Sequence, residues 1–389
     1  MKILFQIFFV LFLSLPVAAQ TTIQRYVDTD CANNGNGTSG SCAASAGAAG
    51  AYNSMENAAT DIDADFSDIT AGGTDEIILL QAAGTAADTS SPDFTGVTTD
   101  ADHYIHITCD NGKGDGCRPS SGGYSTSDYR LETSQYSCAL CITGIGDVII
   151  SNIQIKSTCN DDCVGTAIRW KGTATGTMIA YNNWLLYAAA TTPTTSGNSY
   201  AIDNVDNATT SEKSVIAVNN IIYDFIDGGI RCSTSSTDGT GCVLYNNTIG
   251  GLAGGAAIGL DLGLSGTNDA IYIKNNLVQN VGGDDYHEDS AASTEVTVSN
   301  ITEDSTSPDG PAFRNKTVTF ENEGADDFHL DAADNVAGNH CNDLSADPIY
   351  SLSQDIDLDA RTGSWDCGAD ESVSGVLANS APKILNTDM

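Results

Sequence analysis

The chain has 389 residues, of which 51 are Asp or Glu against 15 Lys or Arg, giving a net charge of −36 with 41% hydrophobic residues. That apolar fraction is ordinary for a globular chain, so the charge does not mark disorder. A surface this acidic disfavours nucleic acid and anionic membranes as partners and leaves solvation, or the holding of divalent cations, as its uses.

Residues 1–19 read as an export signal. Lys2 supplies the positive start, Ile3–Leu15 is an almost unbroken apolar run, and Pro16-Val17-Ala18-Ala19 offers small residues for cleavage before Gln20. The run is too short for a comfortable membrane span, and no later segment approaches about 20 apolar residues. The expected location is secreted or cell-surface. All twelve cysteines lie beyond this segment, an even number that suits an oxidising compartment. Neighbouring cysteines suggest loop clips at Cys31-Cys42, Cys109-Cys117, Cys159-Cys163, Cys232-Cys242 and, further apart, Cys341-Cys367. Cys138 and Cys141 fit less easily. In an extended strand, residues three apart point to opposite faces, so either they pair elsewhere or the strand bends there.

After Tyr26–Asp30 and a Gly/Asn/Ser-rich loop, Tyr52, Met55, Ala58 and Ile62 fall on one helical stripe, with Asn53 as the expected N-cap and Glu56 three residues on. A short helix there would cover the open end of a solenoid. From Glu76 the chain turns to short strand signals, EIILLQ, DFTGV, YIHITC, YRLET and CALCI, separated by Gly, Ser, Asp and Thr. No helical period is sustained over 76–320, which disfavours a doubly wound sheet.

One phrase then recurs: β-branched residues, an Asn, more apolar residues. Its copies place Asn152, Asn183, Asn220, Asn247, Asn276 and Asn300 at intervals of 31, 37, 27, 29 and 24 residues. A sandwich has no reason to repeat one amide at the same point of every strand, but a solenoid has. At the sharp corner of each coil one residue takes a left-handed backbone, which Asn tolerates. Coils stacked about 4.8 Å apart also let successive amides bond to one another. The expected fold is all-β, a right-handed parallel β-helix with a short N-terminal capping helix. Its longest insert is expected between Asn183 and Asn220, rich in Thr, Ser and Asn.

The opening YVDTDCANNGNG…GAYNSMENAATDI resembles the first segment of secreted right-handed parallel β-helix proteins of the pectin-lyase-like superfamily. The ending, with Phe328-His329-Leu330, Asp355-Ile356-Asp357, Arg361 and Gly368-Ala369-Asp370-Glu371, is similar to the closing segment of many bacterial β-helix proteins, with Leu358 and Ala360 where that pattern favours Gly and Pro. The resemblance covers most of residues 24–371, and the expected organisation is a signal peptide 1–19, an N-terminal lead-in and cap 20–75, a β-helix 76–325, a closing segment 326–371 and a tail 372–389. It implies a polysaccharide groove along one parallel face, in a superfamily of lyases, hydrolases and adhesins.

Glycoside hydrolysis needs two carboxyls about 5–9.5 Å apart. Candidates are Asp224, Asp227, Asp261, Asp284 and Asp285, with His287 beside the densest acidic run. Asp227-Gly228-Gly229-Ile230 reads equally as a turn, and 284–289 as a solvated corner. A lyase would need cations from among Lys156, Arg169, Lys171, Lys213, Arg231 and Lys274, which do not cluster in sequence. Asp355, Asp357 and Asp359 alternate as Ca²⁺ ligands can, though without the remaining ligands of an EF-hand, and a turn explains them as well. No G-x-S-x-G, phosphate loop or dinucleotide fingerprint is present. The expectation is therefore a β-helix that binds carbohydrate or another surface without a required cofactor, with a polysaccharide hydrolase, then a lyase, as the alternative.

Overall fold

Apolar residues alternate along each short strand, so one face of every strand must be buried and no single coil can bury it alone. The structure, a computed structural model, describes residues 21–70, 76–110, 116–117, 123–134, 138–158, 165–172, 174–188, 199–204, 213–234, 239–252, 257–264, 269–289, 294–338 and 340–372. Its strands recur in a fixed order and stack into three parallel sheets of nine, eight and seven strands. We call these the first, second and third sheet, in the order the chain meets them within a coil. The result is a right-handed parallel β-helix, the hand that parallel crossovers take. Ile78, Leu80, Ile107, Ile150, Ile168 and Ile273 are among the side chains fully buried inside it. Each such burial is worth roughly 1.5–3 kcal/mol.

The corner between the first and second sheets divides its work between two adjacent residues. The left-handed seat belongs to Asn152, Asn182, Asn219, Asn246, Asn275 and Ser299, with φ between 52° and 60°. The next residue carries the amide stack. Asn183 Nδ2 donates to Asn220 Oδ1 at 3.0 Å, Asn220 to Asn247 at 2.9 Å, Asn247 to Asn276 at 3.0 Å and Asn276 to Asn300 at 2.9 Å. The Asp309 carboxylate ends the row by accepting from Asn300 Nδ2 at 2.8 Å. Two expectations are thereby corrected. The stacked amides are not the left-handed residues, and Asn152 is not in the stack: its coil has one Asn at the corner, which takes the left-handed seat, and Ile153 N donates to Asn183 Oδ1 instead.

The helix Met55–Asp65 buries Met55, Ala58, Ala59 and Ile62. Its N-cap is Ser54 rather than Asn53: the Ser54 side chain accepts from Asn57 N, while Asn53 Oδ1 takes the Asn57 side-chain amide. Strand Thr21–Asp28 pairs in register with Glu76–Ala83, so coil structure already begins within the lead-in segment. The expected long insert between Asn183 and Asn220 is interrupted by a third-sheet strand, Tyr200–Asp203. Disulfides join Cys31–Cys42, Cys109–Cys117, Cys138–Cys141, Cys232–Cys242 and Cys341–Cys367. Cys138 and Cys141 pair with each other because the chain bends. Their Cα atoms are 5.6 Å apart, where an extended stretch would separate them by roughly 10 Å. Cys159 and Cys163, residues 1–19 and 373–389 lie outside the described residues. Five disulfides among the described residues suit an oxidising, extracellular environment, and no helix among those residues is long and apolar enough to cross a membrane.

The closing segment folds back along the flank of the coils. Phe320–Asn322 and Asp327–Leu330 form an antiparallel pair. With Leu344, Ile356 and Trp365 they cover Trp184, Leu186, Ile221, Tyr223 and Tyr245, which point out of the solenoid, and so build a second core. Arg361, its side chain fully buried, donates to the carbonyls of Asp366, Gly368 and Ala369 and to Glu371. His329 lies between Asp327 (2.6 Å) and Asp357 (3.3 Å). Burial opposes the charged imidazole, but the Asp357 hydrogen bond and the carboxylates of Asp357, Asp370 and Asp327 prevail and push its pKa up to about 10.

This fixes a pH dependence. A histidine whose folded pKa exceeds its unfolded value of about 6.5 gives stability that is complete below pH 6.5 and lost as pH rises to 10. Burial also raises Glu371 and Asp285, each to about 7, so their contribution falls as pH climbs from about 4 to 7. Both effects have one sign. The melting temperature should be higher at pH 5 than at pH 9, and His329→Gln should flatten the decline above pH 6.5. An equal slope in both proteins would refute the assignment to His329.

Candidate functional site

The closing segment lies over the first and second sheets, and the outward-pointing positions of the third sheet carry polar side chains. Parallel register places Arg169, Asp203, Arg231, Asp261 and His287 in one row across successive coils. Their neighbours in sequence, such as Ile202, Ile230 and Leu260, are buried inside. Alternation therefore sends the aliphatic residues to the core and the charged ones outward.

Contacts run along the whole row. Asp203, fully buried, receives Arg231 Nε and Nη2, each at 3.0 Å, in a bidentate pair, and Arg169 Nε lies 3.4 Å away from the other side. Such a planar fork fixes both groups in direction as well as distance. The Arg231 guanidinium sits 4.3 Å above the Tyr200 ring, and the Tyr200 phenol donates to Asp261 Oδ2 at 2.6 Å. Burial, the Asp261 hydrogen bond and its charge push the Tyr200 phenol well above its ordinary range, so it remains a donor. His287 Nδ1 is 3.1 Å from Asp261 Oδ1, and His287 Nε2 is 3.6 Å from Asp289 Oδ1. The hydrogen bond to Asp261 raises the imidazole pKa against a smaller opposing effect of burial. Its side chain is 35% exposed, the most accessible member of the linked set from Asp203 to His287.

Of the residues expected to do chemistry, the structure brings Asp261 and His287 together, in one row with Arg169 and Arg231 from the expected cations. The others are elsewhere. Asp227 Oδ2 accepts from Ser199 N at 2.7 Å and braces the approach to strand Tyr200–Asp203. Asp285 is buried and exchanges hydrogen bonds with Asp304, each carboxylate accepting the other's backbone N–H. The Asp284 carbonyl accepts from Gly259 N in the same corner. Asp224 occupies a left-handed corner on the second-sheet side, where burial and then Asp326 and Glu323 push its pKa up to about 6. Asp355 Oδ1 accepts from the amides of Asp357 and Asp359, a turn, while Asp357 faces His329. Among the described residues, the donor atoms of three metal-binding side chains converge at Asp28, Cys31 and Cys42, where the sulfurs are spent on a disulfide. Tyr223 and Tyr245, natural candidates for a sugar platform, are fully buried under the closing segment, and Tyr286 is 8% exposed with its phenol on Glu295.

Sequence reasoning missed Tyr200 and Asp203 and met Arg231 only as an isolated cation. The signal that would have found them is the coil period itself: Asp203, Arg231, Asp261 and His287 are 28, 30 and 26 residues apart. Comparison with known protein families and with curated proteins finds no match.

Proposed function

We propose that this chain is a secreted or surface-displayed β-helix that binds a glycan on the outer face of its third sheet, and that it belongs to the pectin-lyase-like superfamily its opening and closing segments resemble. The row from Arg169 to His287 carries the reading. Coils about 4.8 Å apart match the advance of an extended sugar chain by roughly one residue per coil. Arg169, Arg231, Asp261 and His287 keep part of the side chain accessible and are held in place by their neighbours, with buried Asp203 between the two arginines, which limits the entropy lost on binding. Its charges nearly cancel in a chain of net charge −36, which favours a neutral glycan over a polyuronate. No cofactor is needed for this; Ca²⁺ would matter only for an anionic ligand.

On a glycan array, a neutral oligosaccharide is expected to bind, and the double variant Asp261→Asn/His287→Ala to weaken that binding about tenfold with an unchanged melting temperature. Failure of every neutral glycan to bind, or undiminished binding by the double variant, refutes the proposal. A second reading, a glycoside hydrolase, draws on one observation: Asp261 and Asp289 flank a half-buried imidazole, with the Tyr200 phenol on Asp261. Release of reducing ends from a polysaccharide, abolished by Asp261→Asn, would put catalysis in place of simple binding.

A further inference from the structure

A second concavity lies away from the third sheet, at the far end of the coils. It has a volume of 250 Å³ and is lined by Ile301, Phe313, Lys316, Asn335, Val336 and His340, with Ala312 at its edge. Ile301 comes from the last second-sheet strand, Ile301–Thr302, and the rest from the segments that close the solenoid. The volume is below the roughly 300–1,000 Å³ of pockets that hold drug-sized ligands, which leaves room for one sugar ring.

The lining is unusual for this chain. Acidic residues outnumber Lys and Arg by 51 to 15, and several of the cations pair with carboxylates. Lys274 pairs with Asp347, Arg231 with Asp203, Arg361 with Glu371 and Lys171 with Asp93. Lys316, half-buried, has no side-chain hydrogen bond, ion pair or ring contact among the described residues, and His340, exposed on the same pocket, has none either. The walls between them are the half-buried Phe313 and Val336. Asn335 turns its Nδ2 to Ala333 O, which leaves its Oδ1 without a protein donor. Apolar walls, one amide oxygen and two positive-capable nitrogens make a site for a ring that carries one negative charge.

We propose that this pocket binds a single hexuronate residue, its carboxylate on Lys316 and His340, its ring against Phe313 and a hydroxyl donating to Asn335 Oδ1. The assignment is independent of the third-sheet face, which lies on a different side of the coil and suits uncharged sugars.

Titration calorimetry on the intact protein with the monosaccharides galacturonate and glucuronate, against galactose and glucose, tests it. Expected is saturable binding of at least one uronate, about tenfold or more tighter than its neutral counterpart. Lys316→Glu should abolish this binding, and Lys316→Gln should weaken it about tenfold, both with unchanged melting temperature because Lys316 has no protein partner to lose. Asn335→Ala should weaken uronate binding while retaining the preference for a carboxylate. Equal affinity for neutral and acidic sugars, no uronate binding, or full binding by Lys316→Gln overturns the proposal. If Lys316→Glu does not fold, the Lys316→Gln and Asn335→Ala results decide it.

Discussion

Asn247→Ala should destabilise the fold by about 4 kcal/mol, since two buried donors would lose their partners at roughly 1–3 kcal/mol each. Asn247 Oδ1 now accepts from Asn220 N and from Asn220 Nδ2, and its own Nδ2 donates to Asn276 Oδ1 and Ala217 O. The substitution strands the Asn220 amide and one Asn220 side-chain proton, in a place where neither Asn220 nor Asn247 has any exposure, and leaves the Ala217 carbonyl only its ladder bond. Asn276 Oδ1 keeps its bond from the backbone of residue 247. The residue before a stacked amide should behave in the opposite way. Asn182 needs only a left-handed backbone at φ 55° and makes one long 3.4 Å amide contact, so Asn182→Gly should change stability by less than about 1 kcal/mol. Denaturant midpoints for the two variants check both numbers. Similar losses at the two positions would contradict the division of labour at the corner.

Arg361→Met is expected to cost about 3–5 kcal/mol, the usual effect of removing one partner from a buried charged network, and to do so locally. The carbonyls of Asp366 and Gly368 would be left without a donor, and Glu371 would keep only the Asp366 amide and Ala369 O only the Ile356 amide, while the stack of coils keeps its own hydrogen bonds. Trp365, now 5.4 Å from the guanidinium, would lose its packing partner. Amide exchange should show residues 320–371 opening while strands such as Met178–Tyr181 and Val215–Val218 stay protected. Uniform loss of protection across the chain would mean that the closing segment is not a separate cooperative unit.

The architecture was legible because the corner between the first and second sheets tolerates little variation. An Asn pair or its equivalent must recur there, and its period shows through the unrelated residues around it. What remained hidden was which residue of each pair does what, because Asn182-Asn183, Asn219-Asn220, Asn246-Asn247 and Asn275-Asn276 present the same letter twice. Only the coil with a single Asn, at Asn152, and the coil with Ser299 ahead of Asn300 break the tie, and they break it in favour of the second position for the stack. The candidate site was far less legible. Twenty residues separate Asn183 from Asp203, but eleven separate Asn220 from Arg231 and fourteen separate Asn247 from Asp261. The connections between second and third sheets vary in length, so the row does not line up when the copies are aligned on their Asn. Asp261 and His287 were found for their chemistry alone, and Tyr200 was lost inside what read as a loop.

The covering of Trp184, Tyr223 and Tyr245 by residues 320–369 bears on how the chain reaches this state. Synthesis delivers the coils first and their cover last. Until the closing segment arrives, a growing solenoid carries a band of aromatic surface down one flank and a free strand at its leading edge, both capable of capturing another chain. Yield in a heterologous host should therefore depend on the rate at which residues 320–369 emerge and on a chaperone that shields aromatic surface in the meantime.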